Sequence, residues 1–221
     1  MIGLIPASGK ATRIGGLPKF ALPSDKENTS ILEKHVNLML PYCDKIVVST
    51  TSQWENLVKM FNLDIDVVII EPSTMNDSLI KMSEKYFSME YLIGMADTYF
   101  YGENPYHRLW ASSKSFAVNF ACWKIESELK GRVGQVCISS NTVVDMKDKA
   151  KDCNYSHMWG ALSLSISAIK ALNKDNAHPG IDLEHLIHED YISNVAHIID
   201  GEYFDVGTLS GYRNLINRID L

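Results

Sequence analysis

Pro6-Ala7-Ser8-Gly9-Lys10-Ala11-Thr12-Arg13-Ile14-Gly15-Gly16-Leu17-Pro18-Lys19 follows directly on Met1-Ile2-Gly3-Leu4-Ile5. The first five residues are an apolar run of the kind that forms a strand buried on both faces. Small residues after such a strand let backbone N–H groups converge on an anion, and Arg13 and Lys19 add fixed positive charge for a polyphosphate. Two familiar phosphate loops are excluded. A Walker A loop has glycine five residues before Gly-Lys and Ser or Thr after it; here Leu4 and Ala11 occupy those places. A dinucleotide fingerprint spaces its glycines one and three residues apart, whereas Gly9 is followed by Ala11 and Thr12.

Beyond the loop, strand and helix patterns alternate, as in an α/β sheet. Ser30-Ile-Leu-Glu33 is a capping box opening a helix to Leu40, which Pro41 ends. Lys45 to Ser49 reads as a strand, Ser52-Gln-Trp-Glu55 as the cap of a second helix to about Phe61, and Val67 to Ile70 as a β-branched strand. A third helix is expected from near Asp77 to Tyr86. The strand Tyr91 to Met95 then delivers Ala96-Asp97 at its carboxyl end, where open α/β sheets bind ligands. Further strands are expected at Phe116 to Cys122, Val133 to Ile138 and Thr142 to Met146, and a helix at Ser165 to Leu172.

Composition bounds the reading. A chain of 221 residues, 46% hydrophobic, is expected to form one domain, 1–221, with a nucleotide-binding half to about residue 100 and an acceptor-binding half from about 101. The net charge of −6 and the lack of a Lys/Arg run argue against a nucleic-acid partner. No apolar run is long enough for a membrane span, and four cysteines without CxxC spacing suit free thiols, so a cytoplasmic protein is expected.

The spacing of Gly9, Thr12-Arg13 and, after four residues, Pro18-Lys19 resembles the signature of the sugar nucleotidylyltransferases, Leu-Ala-Ala-Gly-x-Gly-Thr-Arg followed by Pro-Lys; Pro6, Ser8 and Ala11 depart from it. Tyr91-Leu-Ile-Gly-Met-Ala-Asp97 resembles that family's strand ending in Gly-Asp. Tyr203-Phe-Asp205-Val-Gly-Thr208 resembles its Trp-x-Asp-x-Gly-Thr segment. Glu71-Pro72-Ser73 is similar to a Gln-Pro-Ser along the base edge, and Val144-Asp-Met-Lys-Asp148-Lys149 to a strand ending in Glu-Lys-Pro.

The resemblance implies a three-layer, Rossmann-like mixed sheet of the nucleotide-diphospho-sugar transferase (GT-A-like) type. It implies an enzyme that transfers a nucleoside monophosphate, expected to be a pyrimidine nucleotide, from a triphosphate to a sugar-1-phosphate. Arg13 and Lys19 would be catalytic, Pro6, Ala7, Ser8, Gly9, Glu71 and Ser73 would line the nucleotide, and Asp148, Lys149 and Gly160 the acceptor. Asp97 and Asp205 would hold Mg²⁺, which favours a few carboxylates supplemented by phosphate oxygens and water. A cytidylyltransferase for a non-sugar phosphate such as choline phosphate, and a non-catalytic nucleotide-binding module, are the alternatives. A glycosyltransferase would carry Asp-x-Asp where this chain has Asp97-Thr-Tyr.

Overall fold

Apolar strand residues alternate between two hydrophobic clusters in the computed structural model, which describes residues 1–9 and 15–219. Leu4, Val47, Tyr91, Ile93, Phe120 and Leu162 belong to one cluster, while Ile5, Ile46, Val48, Leu92, Ala121 and Ala161 belong to the other. Successive side chains of a strand point to opposite faces, so these strands are covered on both sides. That is why they read as unbroken apolar runs.

The central strands are β1 (Ile2–Pro6), β2 (Lys45–Thr50), β3 (Asp66–Ile69) and β4 (Glu90–Ile93). Leu4 of β1 lies level with Val47 of β2 and Ile93 of β4, all parallel, and β3 extends the sheet beyond β2. On the other side β9 (His157–Ser165) runs antiparallel between β4 and β6 (Val118–Lys124), and β10 (Asn194–Ile198) closes the edge parallel to β6. The order is therefore β10-β6-β9-β4-β1-β2-β3. A hairpin of β7 (Gly134–Ser139) and β8 (Thr142–Asp148) branches from β9. This is the expected mixed α/β sheet.

Local chemistry explains the helices. In α1 (Ile31–Met39) the Ser30 hydroxyl accepts from Glu33 N at 3.1 Å and the Glu33 carboxylate accepts from Ser30 N at 2.7 Å, the reciprocal capping box. Ile31, Leu32, His35, Val36 and Met39 form its buried stripe. The second capping box does not form. Helix α2 (Glu55–Met60) starts after Trp54, without a side-chain cap, because Ser52 donates its N–H and hydroxyl to Glu71 Oε1 at 3.1 and 3.2 Å. Helix α3 (Met75–Lys85) begins two residues earlier than expected, capped by the Thr74 hydroxyl.

The remaining elements are β5 (Thr98–Gly102), α4 (Pro105–Ser112), α5 (Ile166–Lys170), α6 (Pro179–His188), β11 (Gly201–Asp205) and α7 (Leu209–Ile219). Strands β5 and β11 make a separate antiparallel pair whose register sets Asp205 opposite Thr98. A backbone bond from Val206 N to Asp97 O, 3.0 Å, locks that register beside Asp97. No described helix is long and apolar enough to cross a membrane.

Candidate active site

A cleft of about 500 Å³ opens at the carboxyl ends of β1, β3 and β4. Pro6, Ala7, Ser8 and Gly9 form one wall and Pro72, Ser73 and Thr74 the opposite one. The first wall is anchored from behind. Ala7 N donates to Ser49 O at 2.9 Å, and buried Ser8 donates its hydroxyl to Ser49, whose own hydroxyl lies 2.8 Å from that of Ser78 on α3. Ser8, one departure from the family pattern, thus ties the loop to β2 and α3. The second wall is held by Asp77, whose carboxylate accepts from Ser73 N at 3.1 Å. Lys81, 2.8 Å from Asp77, is the main cause holding that carboxyl below its usual range, so it stays an acceptor.

Charge gathers at the mouth of the cleft. Lys19 Nζ donates to Asp97 Oδ2 at 3.0 Å, with the lysine more buried than its partner. Asp205, brought alongside by the β5–β11 register, accepts from Gly207 N at 2.9 Å through Oδ1 and from Arg132 Nη2 at 2.9 Å through Oδ2. Gly207 marks the point of convergence. A Cβ built there would lie 2.7 Å from Asp205 Oδ1, 3.4 Å from Asp97 Oδ2 and 3.5 Å from Lys19 Nζ. Two hard carboxylate oxygens and an ammonium therefore surround a gap that any larger residue would fill. Such a donor set fits magnesium, which commonly takes one or two protein carboxylates and leaves its other positions to phosphate oxygens and water.

Two ring side chains lie near the two carboxylates. His35 lies behind Asp97, its Nε2 2.9 Å from the Thr98 carbonyl and its Nδ1 2.7 Å from the Tyr106 hydroxyl. A carbonyl only accepts, so Nε2 carries the proton and Nδ1 accepts from Tyr106. Burial lowers the His35 pKa to about 4, keeping the ring neutral. Tyr203, two residues before Asp205, packs on Trp123 with ring centroids 5.4 Å apart. Burial first, then Asp205 and Asp97, push its hydroxyl well above the usual tyrosine range, so it stays neutral.

The structure brings some expected site residues together and separates others. Pro6, Ala7, Ser8, Gly9, Lys19, Ser73 and Asp97 line one cleft, and Asp205 stands at its mouth beside Asp97 and Lys19. Glu71 is not part of the cleft lining; it turns to Ser52. Arg13 lies outside the described residues. Asp148 and Lys149 sit at the end of β8, where Asp148 Oδ2 is 3.0 Å and Lys149 Nζ 3.3 Å from His178 Nε2. Neither is part of the cleft lining, although Ala177, next to His178 in the chain, is. Gly160 is covered by aromatic rings, since a Cβ there would meet Tyr203 Cδ2 at 2.7 Å and Trp123 Cζ3 at 2.9 Å.

Arg132, His178 and the Ser49–Ser78 pair were not legible as site residues. Arg132 is 73 positions from Asp205, and no local spacing announces that pairing.

No curated protein matches the chain in sequence. In three dimensions it is similar to a Bacillus anthracis protein assigned as a glucose-1-phosphate thymidylyltransferase, with a TM-score of 0.82 and 13% identity over 99% of this chain and 95% of that one. It is similar to a UDP-glucose pyrophosphorylase solved with UDP-glucose, with a TM-score of 0.79 and 13% identity over 98% and 97% of the two chains. The inositol-1-phosphate CTP transferase of T. maritima also superposes, with a TM-score of 0.76 and 14% identity over 99% and 96%. At such identities the likeness is one of fold. Residues 3–175 match the MobA-like NTP transferase domain, a span from β1 through α5 that holds the Pro6–Lys19 loop and Asp97. The chain belongs to the family of MobA-like NTP transferase domains and is a nucleotidyltransferase.

Proposed function

We propose that this nucleotidyltransferase moves a nucleoside monophosphate from a pyrimidine nucleoside triphosphate onto a sugar-1-phosphate and releases pyrophosphate. The observation that carries this reading is the meeting of Lys19, Asp97 and Asp205 around the Gly207 gap, at the mouth of a cleft walled by the Pro6–Gly9 loop. The pyrimidine preference is supported by the three structural relatives, named for thymidylyl transfer, UDP-glucose and CTP. Four free cysteines suit a reducing compartment, and we place the reaction in the cytoplasm.

In this reaction a phosphate oxygen of the acceptor attacks the α-phosphorus and pyrophosphate departs in line. The nucleophile is already an anion, so no general base is required, and catalysis rests on positioning and charge neutralisation. Lys19 offsets the charge that grows on the α-phosphate, and Arg13 braces the β- and γ-phosphates. Asp97 and Asp205 hold Mg²⁺, which when bound neutralises phosphate charge and orients the reactants. Ser73 borders the base, with Glu71 behind it. Lys149 holds the acceptor phosphate and Asp148 its hydroxyls, with Gly160 beneath Tyr203 at the back.

A second acceptor class, an alcohol phosphate, is favoured by the likeness to the inositol-1-phosphate CTP transferase; choline phosphate is a further member of that class. The deciding experiment crosses the common triphosphates with sugar-1-phosphates and alcohol phosphates and reads pyrophosphate. We expect release with a pyrimidine triphosphate and a sugar-1-phosphate. Release only with a purine triphosphate, or only with an alcohol phosphate, would overturn the corresponding half of the proposal.

A further inference from the structure

Residues 171–178 join α5 to α6 without a strand or helix of their own, yet Ala177 lines the cleft. Three consecutive residues at the start of α3 hold this segment. The Thr74 hydroxyl donates to Lys174 O at 2.5 Å, Met75 N to Ala177 O at 3.0 Å, and Asn76 Nδ2 to Asn173 O at 3.0 Å. Thr74 and Met75 line the cleft as well, so one wall is assembled from two distant segments.

Asp182, in the first turn of α6, joins those segments. Its Oδ2 accepts from Asn76 Nδ2 at 2.6 Å and from Asn173 N at 3.2 Å, and its Oδ1 accepts from Asn176 Nδ2 at 2.6 Å. Asn76 is fully buried and uses both amide hydrogens here, while its Oδ1 has no partner among the described residues. A buried carbonyl without a partner is unfavourable, so what this asparagine contributes is the link from α3 to Asp182 and Asn173.

We propose that Asp182 is a positioning residue for the nucleoside triphosphate: it clamps residues 173–177 against the start of α3 and so fixes the wall of Ser73, Thr74, Met75 and Ala177 before nucleotide arrives. The proposal rests on the reading of this cleft as the triphosphate site. Lys19, Asp97 and Asp205 bond elsewhere, so the clamp sets nucleotide affinity and leaves the chemical step alone.

The test is Asp182→Asn, which puts an amide nitrogen where one accepting oxygen stands, so that a donor meets a donor. UTP, CTP and dTTP are titrated with Mg²⁺ into the full chain by calorimetry. KM and kcat are then read from pyrophosphate release with the substrate pair active in the wild type. The dissociation constant and KM of the triphosphate should rise roughly three- to thirty-fold, the range for one hydrogen bond to a partly exposed carboxylate. The kcat and the acceptor KM should stay within about two-fold. Asn76→Ala cuts the same link from its other end and should raise the same two constants; in Asn76→Ala/Asp182→Asn the effects should not add. Unchanged triphosphate affinity in Asp182→Asn, a joint rise of both KM values, or additive effects in the double variant overturns the proposal. Lys19→Ala separates the two readings. Loss of affinity there with none in Asp182→Asn removes the clamp and leaves the cleft, whereas wild-type affinity in Lys19→Ala removes the cleft reading and the clamp with it. Should Asp182→Asn fail to fold, Asn76→Ala, which places a strong helix former in α3, decides by the same measurements.

Discussion

Gly207→Ala separates folding from chemistry at the charge cradle. Gly207 is buried, and the added methyl would sit 2.7 Å from Asp205 Oδ1, inside van der Waals distance. Asp205 can relieve the clash by rotating, but it then gives up the 2.9 Å bond from Gly207 N and the 2.9 Å bond from Arg132. Hydrogen bonds to a charged group contribute about 1.5–3 kcal/mol each when buried, and solvent screening at the partly exposed Asp205 discounts the two together to about 1–3 kcal/mol. For a chain of this size that lowers Tm by roughly 2–12 °C, which leaves a folded protein at 25 °C. Activity should fall much further. The methyl occupies the gap facing Asp97 Oδ2 and Lys19 Nζ, and displacing reacting groups by about 1 Å costs on the order of 10²-fold. The assay pairs denaturant unfolding with pyrophosphate release under saturating Mg²⁺. Turnover within about three-fold of the wild type in a folded Gly207→Ala would refute the cradle as the place of reaction.

Three further outcomes are expected. Asp97→Asn and Asp205→Asn should each cut Mg²⁺-dependent turnover by at least ~10²-fold while the fold is retained, as checked by activity and circular dichroism; full activity in either variant defeats the metal assignment. Gly160→Ala should destabilise the protein by about 1–3 kcal/mol in urea unfolding, because its Cβ would press on the Tyr203 and Trp123 rings at 2.7 and 2.9 Å, and rings packed on each other have little room to yield. His35, neutral and buried with a pKa of about 4 against 6.5 when unfolded, makes the unfolded state bind the extra proton between those values. Its contribution is complete above pH 6.5 and is lost as pH falls toward 4, a decline of about 3 kcal/mol. Urea unfolding of the wild type against His35→Gln should show that slope in the wild type alone, and parallel pH profiles would contradict it.

Features carried by neighbouring residues were legible in the chain. The Ser30–Glu33 capping box and the apolar runs of β1, β2, β3 and β4 depend on groups a few positions apart, and they form as read. Ser52-Gln-Trp-Glu55 has the same local form and fails because Glu71, from another strand end, captures Ser52. Local preference amounts to about 1 kcal/mol for a cap, so one competing charge-assisted bond overrides it. Strands β5 and β10 and helices α4 and α6 went unassigned because tertiary pairing and packing support their short or weakly patterned segments.

The sequence by itself determined the class of sheet, the spacing of Gly9, Thr12-Arg13 and Pro18-Lys19, and the two aspartates Asp97 and Asp205 as candidates, since each is a property of a short segment. Only the tertiary structure decided that those aspartates meet. The β5–β11 register sets Asp205 opposite Thr98, next to Asp97, and only there can Gly207 leave a gap among Asp97, Asp205 and Lys19. The tertiary structure likewise pairs Glu71 with Ser52, outside the cleft lining, and Arg132 with Asp205. Charge interactions fall off with distance and depend on burial, so which charges pair is fixed only when the sheet has brought distant segments together.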